Sequence, residues 1–326
     1  MSVKNEEAYL ETCLQSILDQ SEKKWELVVM DDGSADNSME ILRSFESKDP
    51  RIRVCQNPGH GIINALECAF QKSKGEFISR MDADDLMHPD KLKSLKKAFD
   101  GERKLQISVC QVQYFSSMEL GSGYKQYEKW INDLINRNSV FSEIYKECVI
   151  PSCAWMARKS DMLENKMFDD LQIPEDYDLS FRFYQHHFKV IPVTEKLHLW
   201  RDHEHRTSRT NPLYNIRKFD VFKLRHFVRN ELSKEDQLVI WGAGDKGKRM
   251  IKYLVQNKTD VRWITKNNRK INQRIYSALL ESPEILKSLN RVKIIVALSN
   301  PDDKKNVEIY LNILGLTLWK DYFFFF

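Results

Sequence analysis

Carboxylates gather at three separate places in this sequence: Asp31-Asp32, Asp82-Ala83-Asp84-Asp85 and Glu175-Asp176-Tyr177-Asp178. Crowded carboxylates repel one another, so each group calls for a cation or hydrogen-bond donors to offset it. Mg²⁺ and Mn²⁺ take hard oxygen ligands, commonly one or two carboxylates together with substrate phosphates. Asp82-x-Asp84 therefore reads as a metal–diphosphate site or, more plainly, as a loop whose aspartates cap the helix opened by Pro89. A carboxylate of the third group is either a general base or an N-cap. His203, in Trp200-Arg201-Asp202-His203, is a metal ligand, a phosphate contact or a surface histidine. A different chemistry is suggested by Gly242-Ala243-Gly244-Asp245-Lys246-Gly247, directly after the apolar run LVIW. Glycines so spaced between a strand and a helix permit a tight turn and close backbone approach to a phosphate.

The elements that must position these residues are legible from periodicity. Tyr9, Leu10, Cys13, Leu14, Ile17 and Leu18 recur at helical spacing over 6–20, with Asn5 as a cap and Glu6 and Glu7 at the positive end of the dipole. Residues 25–30 (WELVVM) read as a buried strand that stops at Asp31-Asp32. A helix over 36–47, a strand over 52–55 and a helix over 62–73 follow, the last closed by Lys74-Gly75. Residues 76–81 read as a strand running into Asp82, and Leu92, Leu95 and Phe99 mark the helix after Pro89. This βα alternation predicts a mainly parallel sheet, whose ligands bind at the carboxyl ends of the strands. Both of its first acidic groups stand at such ends.

Beyond residue 100 the order changes to a strand over 105–115, an amphipathic helix around 127–135, and short strands and loops over 148–210 with one helix at 176–187. A helix over 211–232 then carries Arg217, Lys218, Lys223, Arg225 and Arg229 beside Phe219, Phe222 and Phe227. A second α/β unit starts at 238–241, with further strands near 261–265 and 292–298 and helices near 283–289 and 303–314.

Composition sets the bounds. The chain has 326 residues, 42% hydrophobic and 30% charged, with 11 glycines and 9 prolines, enough apolar material for two cored domains and unlike a disordered or collagenous chain. No apolar run reaches spanning length, and the N-terminus has no basic-then-apolar signal pattern. The six cysteines include no C-x-x-C and read as reduced core thiols, which predicts a cytoplasmic protein, peripheral at the inner face of the plasma membrane if the basic helix meets lipid. Net charge is −6 over residues 1–210 and +10 over 211–326. The basic residues form no stripe interleaved with base-stacking aromatics, so a nucleic-acid partner is not expected.

In these residues the chain resembles the family 2 glycosyltransferases of the GT-A fold, over about residues 2–210. The likeness rests on ordered motifs: Val3-Lys4-Asn5-Glu6-Glu7, the turn Asp31-Asp32-Gly33-Ser34, Lys74-Gly75-Glu76-Phe77-Ile78 leading to Met81-Asp82-Ala83-Asp84-Asp85, Glu175-Asp176-Tyr177-Asp178-Leu179, and Arg201-x-His203 followed by Ser208. The resemblance implies a mixed, mainly parallel sheet flanked by helices. It also implies inverting, metal-dependent transfer of a sugar from a nucleotide-diphosphate sugar to a hydroxyl of a saccharide or lipid-linked acceptor, in surface polysaccharide or glycoconjugate synthesis. By the same analogy Asp176 is the catalytic base. Asn5, Glu6, Asp31, Asp32 and Asp82 bind the donor nucleotide, and Asp84 and His203 hold Mn²⁺ or Mg²⁺. Arg201 and Glu175 serve the diphosphate or acceptor, while Trp155, in Pro151-Ser152-Cys153-Ala154-Trp155, is by its own chemistry either an acceptor contact that stacks on a sugar face or a core residue. Only Met1-Ser2-Val3 precede Lys4, so the first strand of the family is shortened, which predicts an unpaired neighbouring edge.

The domain reading is a glycosyltransferase domain over 1–210, a basic amphipathic linker helix over 211–235 and a small Rossmann-like domain over 236–326. In the last, Gly242, Gly244 and Gly247 form a candidate phosphate loop. No acidic residue ends the next strand (Trp263-Ile264-Thr265-Lys266) and no dehydrogenase catalytic residue is evident, which favours a structural or regulatory role over dinucleotide catalysis. The linker helix packs its apolar side between the domains or lies on an anionic membrane. Two other functions share the acidic strand ends. A metal-dependent nucleotidyltransferase carries a glycine-rich basic loop after its first strand, which Asn5-Glu6-Glu7 is not; a catalytically impaired nucleotide-sugar sensor or scaffold is the non-enzyme reading.

Overall fold

The computed structural model describes residues 1–172, 174–206, 209 and 216–325, without the side chains of 216–218. Ser208 and residues 211–215, named above, lie outside the described residues. The chain divides into two compact units. One comprises 1–141 and 148–210, the other 142–147 and 211–326.

The first unit begins with β1 (Ser2–Val3), α1 (Leu10–Leu18), β2 (Leu27–Asp31), α2 (Ser38–Lys48), β3 (Ile52–Gln56) and α3 (Gly61–Lys72). The strands form a parallel sheet in the order β1-β2-β3. All five residues of β2 are buried, as an apolar run covered on both faces should be. On one face Val29 shares a core with Leu10, Cys13, Leu14 and Ile17 of α1 and Leu42 and Phe45 of α2; on the other Val28 and Met30 meet Ala65 and Ala69 of α3.

Next come β4 (Phe77–Ile78), β5 (Leu86–Met87), α4 (Lys91–Lys97), β6 (Gln106–Phe115), α5 (Ser122–Asn136), β7 (Trp155–Arg158), α6 (Lys159–Glu164), α7 (Glu175–Gln185) and β8 (Lys189–Arg201). Their sheet has the order β4-β7-β6-β8-β5, with β6 and β8 parallel and the other pairs antiparallel. The segment expected as a strand over 76–81 is paired only at Phe77–Ile78, and the expected short strands after 148 include the 13-residue β8.

β1 is two residues long and pairs with β2, while among the described residues no pairing joins β1 to β4. The strands of this unit thus fall in two sheets, where one mixed sheet was expected. A cavity of about 260 Å³ lies there, lined by Met1, Leu27, Val28, Phe77, Ile78 and Met81 among others.

The second unit contains α8 (Ile216–Glu231), β9 (Gln237–Trp241), α9 (Asp245–Gln256), β10 (Arg262–Ile264), β11 (Arg274–Ile275), β12 (Ala278–Glu281), β13 (Val292–Val296), α10 (Pro301–Ile313) and β14 (Tyr322–Phe324). Its sheet runs β11-β12-β10-β9-β13-β14 and is parallel except at β11. Val239, Trp241, Ile264, Ile294 and Val296 form its core with Val307 and Leu311 of α10. Phe222, Leu224 and Phe227 of α8 are buried, and Phe227 packs on Tyr145, Phe323 and Phe325 within this unit. Lys223, expected on the basic face, is buried and donates to the carbonyls of Lys146 and Phe325. Burial lowers its pKa to about 8. Among the described residues no helix is long and apolar enough to cross a membrane.

Candidate active site

Asp31 closes β2, and its carboxylate accepts the N–H groups of Gly33 and Ser34, tightening the turn that follows (3.2 Å to each from Oδ2). Asp32 accepts from Asn57 Nδ2 at 2.6 Å and from the Gly61 N–H at 2.9 Å, with Lys4 Nζ at 3.4 Å. Burial pushes the Asp32 carboxyl up, but those hydrogen bonds and the Lys4 ammonium bring it below the usual carboxylate range. Asn5 takes a positive φ of 57°. It ties the opening motif to this turn, donating its N–H to Ser34 Oγ (3.0 Å) and accepting from Ala35 N–H (2.7 Å). The Glu6 N–H donates to Ser38 Oγ at 2.8 Å. The motifs at 3–7 and 31–38 thus form one hydrogen-bonded platform at the carboxyl ends of β1 and β2.

The second acidic group sits on the turn between β4 and β5. Asp82 pairs with Arg80 at 3.0 Å and accepts from Ser152 Oγ at 3.2 Å. Burial opposes its ionisation, but Arg80 foremost holds it below the usual range. Asp84 faces His203, with Oδ2 and Nε2 3.0 Å apart, and its carbonyl accepts from Arg201 Nε at 2.6 Å. The Arg201 guanidinium lies over the rings of Tyr9 and Phe115 (4.7 and 4.5 Å), and His203 packs on Tyr9 at 4.7 Å.

The third group starts α7. Arg80, only 7% exposed, bridges Asp82 and Glu175, its NH1 lying 3.0 Å from Glu175 Oε1. This one side chain brings the second and third acidic groups together. Asp176 is half-buried beside them. Burial, and then Glu175, raise its pKa to about 7, against the opposing pull of Arg80. Glu6 joins the cluster electrostatically, its pKa raised to about 8 by burial and by Asp84, Asp82 and Asp36.

The structure therefore gathers Glu6, Asp82, Asp84, Glu175, Asp176, Arg201 and His203 at one face of the first unit, next to the Asn5–Asp31–Asp32 platform. It does not bring Trp155 there. That indole is 1% exposed, donates to the Ser152 carbonyl and packs edge-on against Phe183. Of the two readings of Trp155 the acceptor contact is corrected and the core residue is what the structure has. Glu175 is likewise engaged internally by Arg80, with 4% of its side chain exposed, so it orients the site from below and does not meet an acceptor.

Sequence reasoning missed Arg80 and a fully buried set beneath the Asp82–Asp85 turn. Asp85 accepts from the Arg201 N–H at 2.8 Å and lies 3.0 Å from His198 Nε2; Lys91 Nζ is 3.1 Å from His198 Nδ1 and donates to the Cys153 carbonyl at 2.6 Å. Asp85, Cys153 and His198 have the mutual spacing of metal ligands. An ammonium already stands against that histidine, so the set reads as a structural network that anchors the turn. Burial lowers the His198 pKa and raises that of Asp85, the latter helped by Asp84 and Asp82.

Asp84 and His203, 3.0 Å apart, offer carboxylate oxygen and imidazole nitrogen of the kind that suits Mn²⁺ or Mg²⁺. Asp82, on the same turn, is held by Arg80 and Ser152, and among the described residues only Asp85, Cys153 and His198 show the mutual spacing of metal ligands. Burial first, and then the neighbouring Asp84, Asp82 and Asp36, raise the Glu6 pKa, and His203 Nδ1 is buried with no hydrogen-bond partner among the described residues.

Residues 1–164 match the family model described as glycosyl transferase family 2. Glycosyltransferase GlyA of Streptococcus pneumoniae serotype 4 is 30% identical over 211 residues, which are 61% of this chain and 29% of GlyA. The chain thus spans less than a third of that relative. S. aureus TarS residues 1–349, solved also with UDP, is similar with a TM-score of 0.51 and 15% identity, covering 78% of this chain and 69% of that one. The mannosyltransferase PcManGT from Pyrobaculum calidifontis, solved with GDP-Man and Mn²⁺, gives a TM-score of 0.50 and 17% identity over 70% of this chain and 61% of that one. These likenesses give the first unit its fold, GT-A.

Proposed function

The chain belongs to glycosyl transferase family 2, and from that premise we propose that its first unit transfers a sugar from a nucleotide-diphosphate sugar to an acceptor hydroxyl with inversion. The carrying observation is the convergence of Asp82, Glu175 and Asp176 around Arg80, with Asp84 on the same turn as Asp82 and paired with His203. In this reading residues 1–210 are the transferase domain, 211–235 a linking helix and 236–326 a Rossmann-like domain.

Each residue has a role that its surroundings support. The Asn5–Ser34 and Lys4–Asp32 contacts make a rigid edge at which the nucleoside binds. Asp84, His203 and Asp82 would hold Mn²⁺ or Mg²⁺, whose chemistry is to neutralise the leaving diphosphate. Arg201 stabilises the Asp84 turn through that residue's carbonyl and stands ready for phosphate oxygen. Asp176 removes the proton from the attacking hydroxyl. With a pKa near 7 it is basic enough to accept that proton and is still largely ionised in mildly alkaline solution. A base on the acceptor side and a leaving group on the turn at 82–85 give direct displacement, hence inversion. The acceptor is a saccharide or lipid-linked glycan, as in surface polysaccharide or glycoconjugate synthesis.

Purified full-length protein incubated with nucleotide sugars and Mn²⁺ is expected to release nucleoside diphosphate. Asp84→Ala should abolish release and weaken metal-dependent donor binding. Asp176→Asn should reduce turnover by about 10²-fold or more while leaving donor affinity within a few-fold. Near-normal turnover of Asp176→Asn would remove it as the base, and full activity of Asp84→Ala in EDTA would remove the metal reading.

A further inference from the structure

We propose that the second unit binds a nucleotide through its diphosphate, in the cleft at the carboxyl ends of β9, β10 and β13. The proposal rests on residues of this unit alone and stands whether or not the first unit transfers sugar.

The cleft is about 660 Å³, a size typical of small-molecule sites. It opens where β9 lies between β10 and β13, so that successive crossovers leave the sheet in opposite directions. Ligands of open parallel sheets bind at such a point because the strand-end loops part there.

The three loop glycines divide by purpose. A Cβ at Gly247 would stand 2.0 Å from the Gly242 carbonyl oxygen, so this glycine lets helix α9 close on the strand. Gly242 has φ +135°, and a Cβ there would meet the Ala297 carbonyl at 2.9 Å. Packing thus accounts for both. It does not account for Gly244. Its backbone is extended (φ −84°, ψ −174°), which any residue adopts, and a Cβ there meets nothing within 4 Å. A glycine that neither conformation nor packing requires, facing open space, is what close approach of a ligand to the backbone asks for.

Two further features favour an anion. Helix α9 starts at Gly244 with no side-chain cap, whereas α10, bordering the same cleft, is capped by Asn300, which accepts from Asp302 and Asp303 N–H groups. The charged side chains of the lining are Lys266, Lys270 and Asp303. Lys270 Nζ donates to the Ala243 carbonyl at 2.9 Å, which holds an ammonium beside the glycine turn. Lys266, at the end of β10, lies 5.8 and 5.5 Å from the ring centres of Trp241 and Tyr310. A cation here replaces the carboxylate that would bind a ribose diol, so recognition falls on phosphate. The opposite rim is apolar: Ile309 and Ile313 are 50% and 78% exposed and both line the cleft. They offer a surface for a planar base.

Full-length protein in EDTA is titrated calorimetrically with UDP, ADP, NAD⁺ and NADP⁺, beside Gly244→Val, Lys266→Glu and Asp84→Asn. EDTA and Asp84→Asn silence metal-dependent binding in the first unit. At least one nucleotide is expected to bind saturably to wild type and Asp84→Asn alike, and to bind Gly244→Val and Lys266→Glu about tenfold more weakly or worse, with melting temperatures unchanged. Lys266 is exposed, so Lys266→Glu remains informative if Gly244→Val misfolds. The proposal is overturned if none of the four binds wild type below about 1 mM, or if both cleft variants bind as wild type does.

Discussion

Arg80 is the residue on which the acidic groups depend. Its guanidinium is buried between Asp82 and Glu175, and removing one member of such a set leaves charge without its partner. Arg80→Met is expected to cost about 3–5 kcal/mol, read as a fall in melting temperature of roughly 10 °C. Asp176 has the opposite balance. Its folded pKa of about 7 lies above the ordinary 3.8, so its stability contribution is intact below pH 3.8 and is lost as pH rises through 7. Asp176→Asn should therefore melt a few degrees higher than wild type at pH 8 and no higher at pH 4. The same pKa predicts turnover that rises about tenfold per pH unit below 7 and levels above it, measured as kcat/KM against pH. At this scale the aspartates were readable, because carboxylates after an apolar run mark the end of a strand. Arg80 was not. Nothing in its local spacing reveals that Glu175, far along the chain, will meet it. Trp155 misled for a related reason: an indole suits a sugar face and a core equally, and only packing decides.

Among the elements, periodicity located the helices and most strands well, since each buries one stripe or both faces. It failed at β8. The sequence KVIPVTEKLHLWR carries Pro192 and a charged stretch that break alternation, and its register against β6 shifts after Cys110, where Val193 and Lys196 are successive partners. A strand that bulges in this way has no clean period of two. Helix α8 carries the basic residues expected of it, but Phe222 and Phe227 are enclosed and Lys223 is internal. Binding to anionic vesicles by insertion is thus not expected, and any flotation should vanish in about 0.5 M salt. Its attachment to α9 is specific: Arg249 grips Asp220, which is 1% exposed. Arg249→Leu should lower the stability of the second unit by about 2–4 kcal/mol, since Asp220 loses its guanidinium partner in a buried setting.

Over the whole molecule, both units repeat one principle, a parallel sheet with loops gathered at its strand ends, on chain segments of opposite charge. The order of motifs made the first unit's family legible, while the second offered only one glycine turn. Neither could reveal how the chain is partitioned. Ser142–Glu147 lies within the sequence of the first unit but belongs to the second. Tyr145, 1% exposed, donates to Glu231 and packs on Phe227, Phe323 and Phe325. The C-terminal third is consequently no detachable cassette. A gene cut after codon 210 would strip that tyrosine of its aromatic neighbours and yield sticky, poorly recoverable protein. Recombination that swapped the tail for another would fail in the same way unless it also rewrote six codons in the middle of the transferase.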